Sequence, residues 1–165
     1  MEGKPVSVSR TVYNDHVLPP DTNNRNTIFG GKVMAFVDKV GAMTAMKHCR
    51  KPVVTASIDS MDFLAPVLLG ETINLEACVT RAYRTSVEVY VTVRSEDLVT
   101  GERKLTGSSY LTFVALDENG HPTEVPPVIP ETDEEKRQYD TAQARYVIRQ
   151  QRKQVRVEEH RRQGL

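Results

Sequence analysis

The chain has 165 residues, 39% of them hydrophobic, and its 22 basic and 22 acidic side chains cancel. That length suits one domain with an appendage, and the balanced charge argues against a nucleic-acid or membrane-surface partner. No stretch approaches the roughly 20 apolar residues of a membrane span, the first ten residues lack the apolar centre of a secretion signal, and Cys49 and Cys78 fit neither a metal spacing nor a disulfide scaffold.

A short strand is expected in "VSVSRTVY", stopped by Pro19 and Pro20, with a loop of turn formers, "DTNNRNTIF", after it. From Gly31 to His48 the apolar residues Val33, Met34, Phe36, Val37, Val40, Met43 and Met46 occupy most of a helical wheel. This pattern predicts a helix packed nearly all round. "VVTASIDSMDFLAPV" follows as a plausible strand of poor alternation. The period then changes to two: Ile73, Leu75, Ala77 and Val79 alternate with polar neighbours, as do Val87, Val89, Val91 and Val93. Half-buried antiparallel strands read this way. "RAYRT" is short enough for a hairpin, "DLVTGER" supplies a second turn, and "KLTGSSYLTFVAL" forms a third long strand ended by "DENGHP".

The segment "HPTEVPPVIPE" reads as an extended proline-rich linker. Thr132 and Glu135 then form a capping box for a helix running to about Arg162. Its apolar face (Tyr139, Ala142, Tyr146) is thin, and Arg145, Arg149, Arg152 and Arg156 make a basic stripe. A solvated or fraying helix is the expected reading, with a phosphate-facing or subunit-facing helix as the alternative. The chain thus divides into a domain over 1–126 and a linker with a charged helix over 127–165. One buried helix followed by a meander of strands is most economically satisfied by an α+β fold in which an antiparallel sheet wraps the helix, the hotdog arrangement.

Within the helix, Asp38 lies beside Gly41, Ala42 and Ala45, small residues that would let another backbone approach or leave a groove. A carboxylate so placed is either satisfied structurally or poised as base or nucleophile. Gly30 and Gly31 precede unpaired helix N-terminal N–H groups, which could polarise a carbonyl. Alone, the pair reads as a tight turn. The sequence contains no G-x-S-x-G elbow, P-loop or H-E-x-x-H, and its four histidines are scattered. A carboxylate acting on an activated acyl group is therefore the economical chemistry.

The stretches "DTNNRNTIFGGKVMAFVDKVGAM", "VVTASIDSMDFLAPVLLGE", "TSVEVYVTV" and "LTFVALDENGHPTEVPP" together resemble the hotdog acyl-CoA thioesterases related to brain acyl-CoA hydrolase and its single-domain bacterial counterparts. The resemblance runs from about residue 8 to 150. It implies hydrolysis of fatty acyl-CoA to free acid and CoA, with no cofactor beyond the CoA of the substrate and no metal; the lack of a signal or membrane segment makes the cytoplasm the expected location. It assigns the catalytic Asp to Asp38, an Asn to Asn23 and a supporting Thr to Thr55, with the oxyanion received near Gly30 and Gly31. It also implies CoA contacts at the first hairpin, for which Arg84 and Ser86 are the candidates, and a homodimer with shared sites, Asn23 of one chain meeting Asp38 of the other, gathered into a hexamer. Whether Asp38 acts as base or nucleophile stays open. A CoA or nucleotide sensor on the same fold is the alternative function; a hydratase is less economical because no His lies in the glycine–helix stretch.

Overall fold

The computed structural model describes residues 1–165. In chain order the elements are β1 (Lys4–Pro5), α1 (Val6–Ser9), β2 (Thr11–His16), a 3-10 turn (Pro19–Asp21), α2 (Gly30–Cys49), β3 (Val53–Ile58), β4 (Thr72–Ala82), β5 (Ser86–Glu96), β6 (Arg103–Ala115), β7 (Val128–Ile129) and α3 (Asp133–Gln163). Five strands pair antiparallel in the order β2-β4-β5-β6-β3, and β1 pairs with β7 in a small parallel sheet. No helix is long and apolar enough to cross a membrane.

The alternation expected for β4 and β5 is met. Ile73, Leu75, Ala77 and Val79 on one strand and Val87, Val89, Val91 and Val93 on the next are fully or almost fully buried, facing α2. The helix lies so close to the sheet that a Cβ on Gly41 would sit 3.0 Å from the Phe113 ring. Gly101 and Gly120 take positive φ in the two predicted turns, a conformation glycine adopts without steric cost.

Three expectations need correction. The strand expected in "VSVSRTVY" begins only at Thr11, because Val6–Ser9 closes into a helical turn through Arg10 N–H to the Val6 carbonyl. The strand after α2 ends at Ile58, and the chain then leaves the ladder to press on β6 where Gly107 has no side chain; a Cβ there would lie 2.9 Å from the Asp62 carbonyl oxygen. The third concerns α3, which opens on the expected Thr132–Glu135 capping box but is not merely solvated.

α3 lies across the face of the sheet opposite α2. Glu88, fully buried in mid-β5, accepts hydrogen bonds from Arg145 (2.8 and 3.1 Å to one oxygen, 3.2 Å to the other), from Arg149 (2.5 Å) and from the Thr80 hydroxyl (2.6 Å). Arg152 binds Asp59 at 2.8 Å and the Ser57 hydroxyl at 3.1 Å. Three of the stripe's four arginines, Arg145, Arg149 and Arg152, are thus anchors to the chain's own carboxylates, spaced by roughly one helical turn, while Arg156 is exposed and unpaired. At the other end Arg10 bonds Glu76 and Glu135.

Candidate active site

The loop before α2 is pinned at both margins. Phe29 N–H donates to the Asp21 carbonyl, Ile28 N–H to the Val67 carbonyl, and Thr27 bridges to Leu68. Phe29 is the N-cap and supplies no side-chain cap. Its carbonyl receives the N–H groups of Lys32 and Val33, whereas those of Gly30 and Gly31 make no hydrogen bond within the chain. Two main-chain donors therefore point away from the amino end of a 20-residue helix, the arrangement that binds anions and oxyanions. The two glycines differ: a Cβ on Gly31 would lie 2.6 Å from the Phe29 ring, while one on Gly30 would make ordinary contact, 3.6 Å, with Phe63.

Asp38 stands seven residues beyond Gly31, two turns along the same helical face and about 10 Å away. The Thr55 hydroxyl on β3 donates to Asp38 Oδ1 at 2.7 Å. Thr55 faces the helix because it pairs with Phe113, whose ring meets α2 at Gly41. Within one protomer Asp38 is half-buried and Thr55 exposed. The small residues expected to flank a groove divide. Gly41 and Ala45 are buried against the sheet, leaving Ala42 half-exposed beside Asp38 and Gly31 and Ala35 exposed on the same side. This stripe of α2 has no covering element.

Asn23 is not brought to Asp38 within the chain. Its side chain organises its own loop, with Oδ1 accepting Arg25 N–H at 2.9 Å and Nδ2 donating to the Thr27 hydroxyl at 2.9 Å. Arg84 sits exposed at the tip of the β4–β5 hairpin, and Ser86 opens β5. The ladder sets Ser86 opposite Val114 and Val114 opposite Val54, so the tip lies level with Thr55, two strands or about 10 Å away.

A cavity that the residue pattern does not single out lies beside the glycine pair. It has a volume of about 310 Å³ and is lined mainly by apolar residues, among them Ile28, Val33, Met61, Phe63, Leu64 and Val67, with Gly30 at its margin. The only signal for it in the sequence is the apolar content of the loop after β3. Elsewhere, burial pushes the thiols of Cys49 and Cys78 up to about 11, which makes both poor nucleophiles. No three of His, Cys, Asp and Glu converge as metal ligands.

The thioesterase superfamily pattern matches residues 25–102. An acyl-CoA thioester hydrolase of Bacillus subtilis, YkhA, is 49% identical over 145 residues, spanning 88% of this chain and 84% of that protein. Among solved structures, an apo hexameric acyl-CoA thioesterase is 55% identical with a TM-score of 0.90, covering 92% of this chain and 97% of its own. The acyl-CoA hydrolase of Staphylococcus aureus, in complex with butyryl-CoA, CoA and CoA disulfide, is 43% identical with a TM-score of 0.92 over 98% of both chains. That enzyme has also been solved with alanine at an aspartate (TM-score 0.88), a threonine (0.86) and an asparagine (0.88). The three substituted positions have the same separations along the chain as Asp38, Thr55 and Asn23.

Proposed function

The chain belongs to the thioesterase superfamily and is an acyl-CoA thioester hydrolase, and from that premise we propose that it hydrolyses fatty acyl-CoA through Asp38, in sites built from two copies of the chain. The observation that carries this reading is the Thr55–Asp38 hydrogen bond on the uncovered stripe of α2, in the same element as the free N–H groups of Gly30 and Gly31. Those donors and the carboxylate are about 10 Å apart along one helix. Groups that act on one carbonyl must each come within about 3 Å of it, so a single chain does not supply both. Two α2 helices packed side by side and antiparallel do, with the amino end of one against Asp38 of the other. The similarity to a hexameric thioesterase supports this assembly.

In this reading Gly30 and Gly31 N–H receive the thioester oxygen, preorganised donors of a kind typically worth about 10²–10³ each in rate. Asp38 of the facing copy takes a proton from water, and the water oxygen bonds to the carbonyl carbon. The tetrahedral oxyanion then collapses, the C–S bond breaks, and the CoA thiolate takes the proton that Asp38 returns. One water is consumed, giving a carboxylic acid and the CoA thiol. Asn23 orients the water or the carbonyl by its amide, and Thr55 fixes Asp38 Oδ1. Arg84 and Ser86 meet the CoA phosphates, and the apolar cavity beside Gly30 takes the acyl chain. Its volume of about 310 Å³ falls at the small end of the range for ligand pockets.

Thiol release from a series of acyl-CoA chain lengths tests the reaction, and Asp38→Ala is expected to remove nearly all turnover. Mixed Asn23→Ala and Asp38→Ala chains, each inactive alone, are expected to regain activity after subunit exchange, because every mixed pair holds one intact site. Full turnover by Asp38→Ala ends the assignment of the carboxylate; no recovery after verified exchange ends the shared site.

A further inference from the structure

α3 crosses every strand of the large sheet's outer face and then keeps going. Its anchors run from Arg10–Glu135 beside β2, through Arg145–Glu88 on β5, to Arg152, which reaches Ser57 and Asp59 at the β3 edge. Beyond Arg152, Lys153–Gln163 makes no side-chain hydrogen bond or ion pair with the rest of the fold, and every side chain in it is exposed. Eleven helical residues extend about 16 Å, whereas two further strands would occupy about 10 Å. The overhang is therefore long enough to cover two strands that one chain does not possess.

What lies below it is an open groove of about 490 Å³ between Ala56–Ile58 of β3 and the underside of the helix, including Arg156, Val157 and His160. The strand beside it is an uncapped edge. β3 pairs only with β6, its sequence VVTASI carries no charge and no proline, and Val54 is 47% exposed. The opposite edge, β2, carries Asn14, Asp15 and His16 and is blunted in the usual manner.

We propose that Lys153–Gln163 is a clasp: in the two-copy assembly, where open sheet edges meet, the second copy's outer sheet face lies beneath the overhang, each copy's helix end gripping the other. The inference rests on the shared-site reading only in taking a second copy as the occupant. It adds a residue-level device that holds the two half-sites together, on the face of the sheet opposite the reacting groups.

The test uses the full chain and reads assembly rather than turnover. Sedimentation velocity over a dilution series compares the parent with the double variant Arg156→Glu/Val157→Asp, neither residue being paired in the protomer. The dissociation constant of the pair is expected to rise at least about tenfold. In parallel, a photo-crosslinking residue at position 157, in a mixture of isotopically light and heavy chains, is expected to give light–heavy adducts on the outer sheet face. Unchanged assembly of the double variant overturns the clasp, as do adducts confined to a single chain or a parent that stays monomeric throughout. Turnover of the parent, measured separately, shows whether the thioesterase reading stands when the clasp falls.

Discussion

Replacing Thr55 by Val exchanges a hydroxyl for a methyl group while keeping a β-branched residue on a strand. The main loss is the 2.7 Å bond to Asp38 Oδ1. A hydrogen bond to a charged group contributes about 1.5–3 kcal/mol when water is excluded, which corresponds to roughly a 10- to 150-fold fall in kcat/KM. Both side chains are open to water in the single chain, so the upper part of that range applies only if the facing copy covers them. The assay is initial-rate thiol release at saturating and subsaturating acyl-CoA. The shared site predicts that the loss falls on kcat, because Thr55 orients the carboxylate and does not hold CoA. Thr55→Ser, which keeps the donor, is expected to recover most of the rate. A Thr55→Val enzyme within twofold of the parent, measured where Asp38→Asn is inactive, would refute the reasoning: Asp38 would then need no orientation from β3.

Other outcomes follow from the same geometry. Glu88→Gln leaves Arg145 and Arg149 without their buried carboxylate, and breaking such a cluster from one side costs about 3–5 kcal/mol; urea unfolding at fixed protomer concentration is expected to show it, with turnover per folded protein largely retained. Gly31→Ala drives a Cβ to 2.6 Å from the Phe29 ring whereas Gly30→Ala meets Phe63 at 3.6 Å, so Gly31→Ala is expected to lower kcat/KM more than Gly30→Ala, checked by the same thiol-release assay. His48 is buried, with Nε2 against the Pro126 carbonyl at 2.8 Å, and burial holds its pKa below the usual value. The unfolded chain therefore binds the proton first as pH falls; the stability from neutral His48 is complete above about 6.5 and is lost as pH drops toward the depressed folded value. Urea midpoints from pH 8 to 5 are expected to fall more steeply for the parent than for His48→Gln.

The residues that announce themselves in one dimension are those whose partners repeat along the chain. The alternating valines of β5 carry their own period and the Thr132–Glu135 cap is local, so both hold in the structure; the wheel of α2 holds at Val33, Phe36, Val37 and Val40, while Met46 is exposed and one stripe of the helix is uncovered. Glu88 does not announce itself. It occupies an ordinary polar slot in an alternating strand, and only the arrival of α3, 57 and 61 residues later, turns it into a buried anion. The stripe Arg145, Arg149 and Arg152 reads as solvated for the same reason: its partners are Glu88 and Asp59, remote in sequence. Gly41 and Ala45 look like the walls of a ligand groove, yet they are small because the sheet is close. Asp38 stands out as a carboxylate in an apolar helix and Thr55 only through the family resemblance, and their 2.7 Å contact depends on the sheet curling until its last strand meets the middle of the helix.

That last contact ties chemistry to assembly. β3 is at once the strand that holds Asp38 through Thr55 and the edge left open by the fold. The stripe of α2 carrying Asp38 is likewise the side that no element of the chain covers, with Gly31, Ala35 and Ala42 small enough for a second helix to approach. A carboxylate fully enclosed by its own chain would have no route to a large thioester. One left open to solvent would act in a medium where each electrostatic contact is weakened several-fold relative to the protein interior. The proposed shared site resolves the conflict by setting the reacting group on the seam, where a second copy would exclude water and bring the donors of its own helix end. Specific activity should then fall on dilution in step with dissociation, and the fall should be steeper in any variant that loosens the pair without touching Asp38, Thr55 or Asn23.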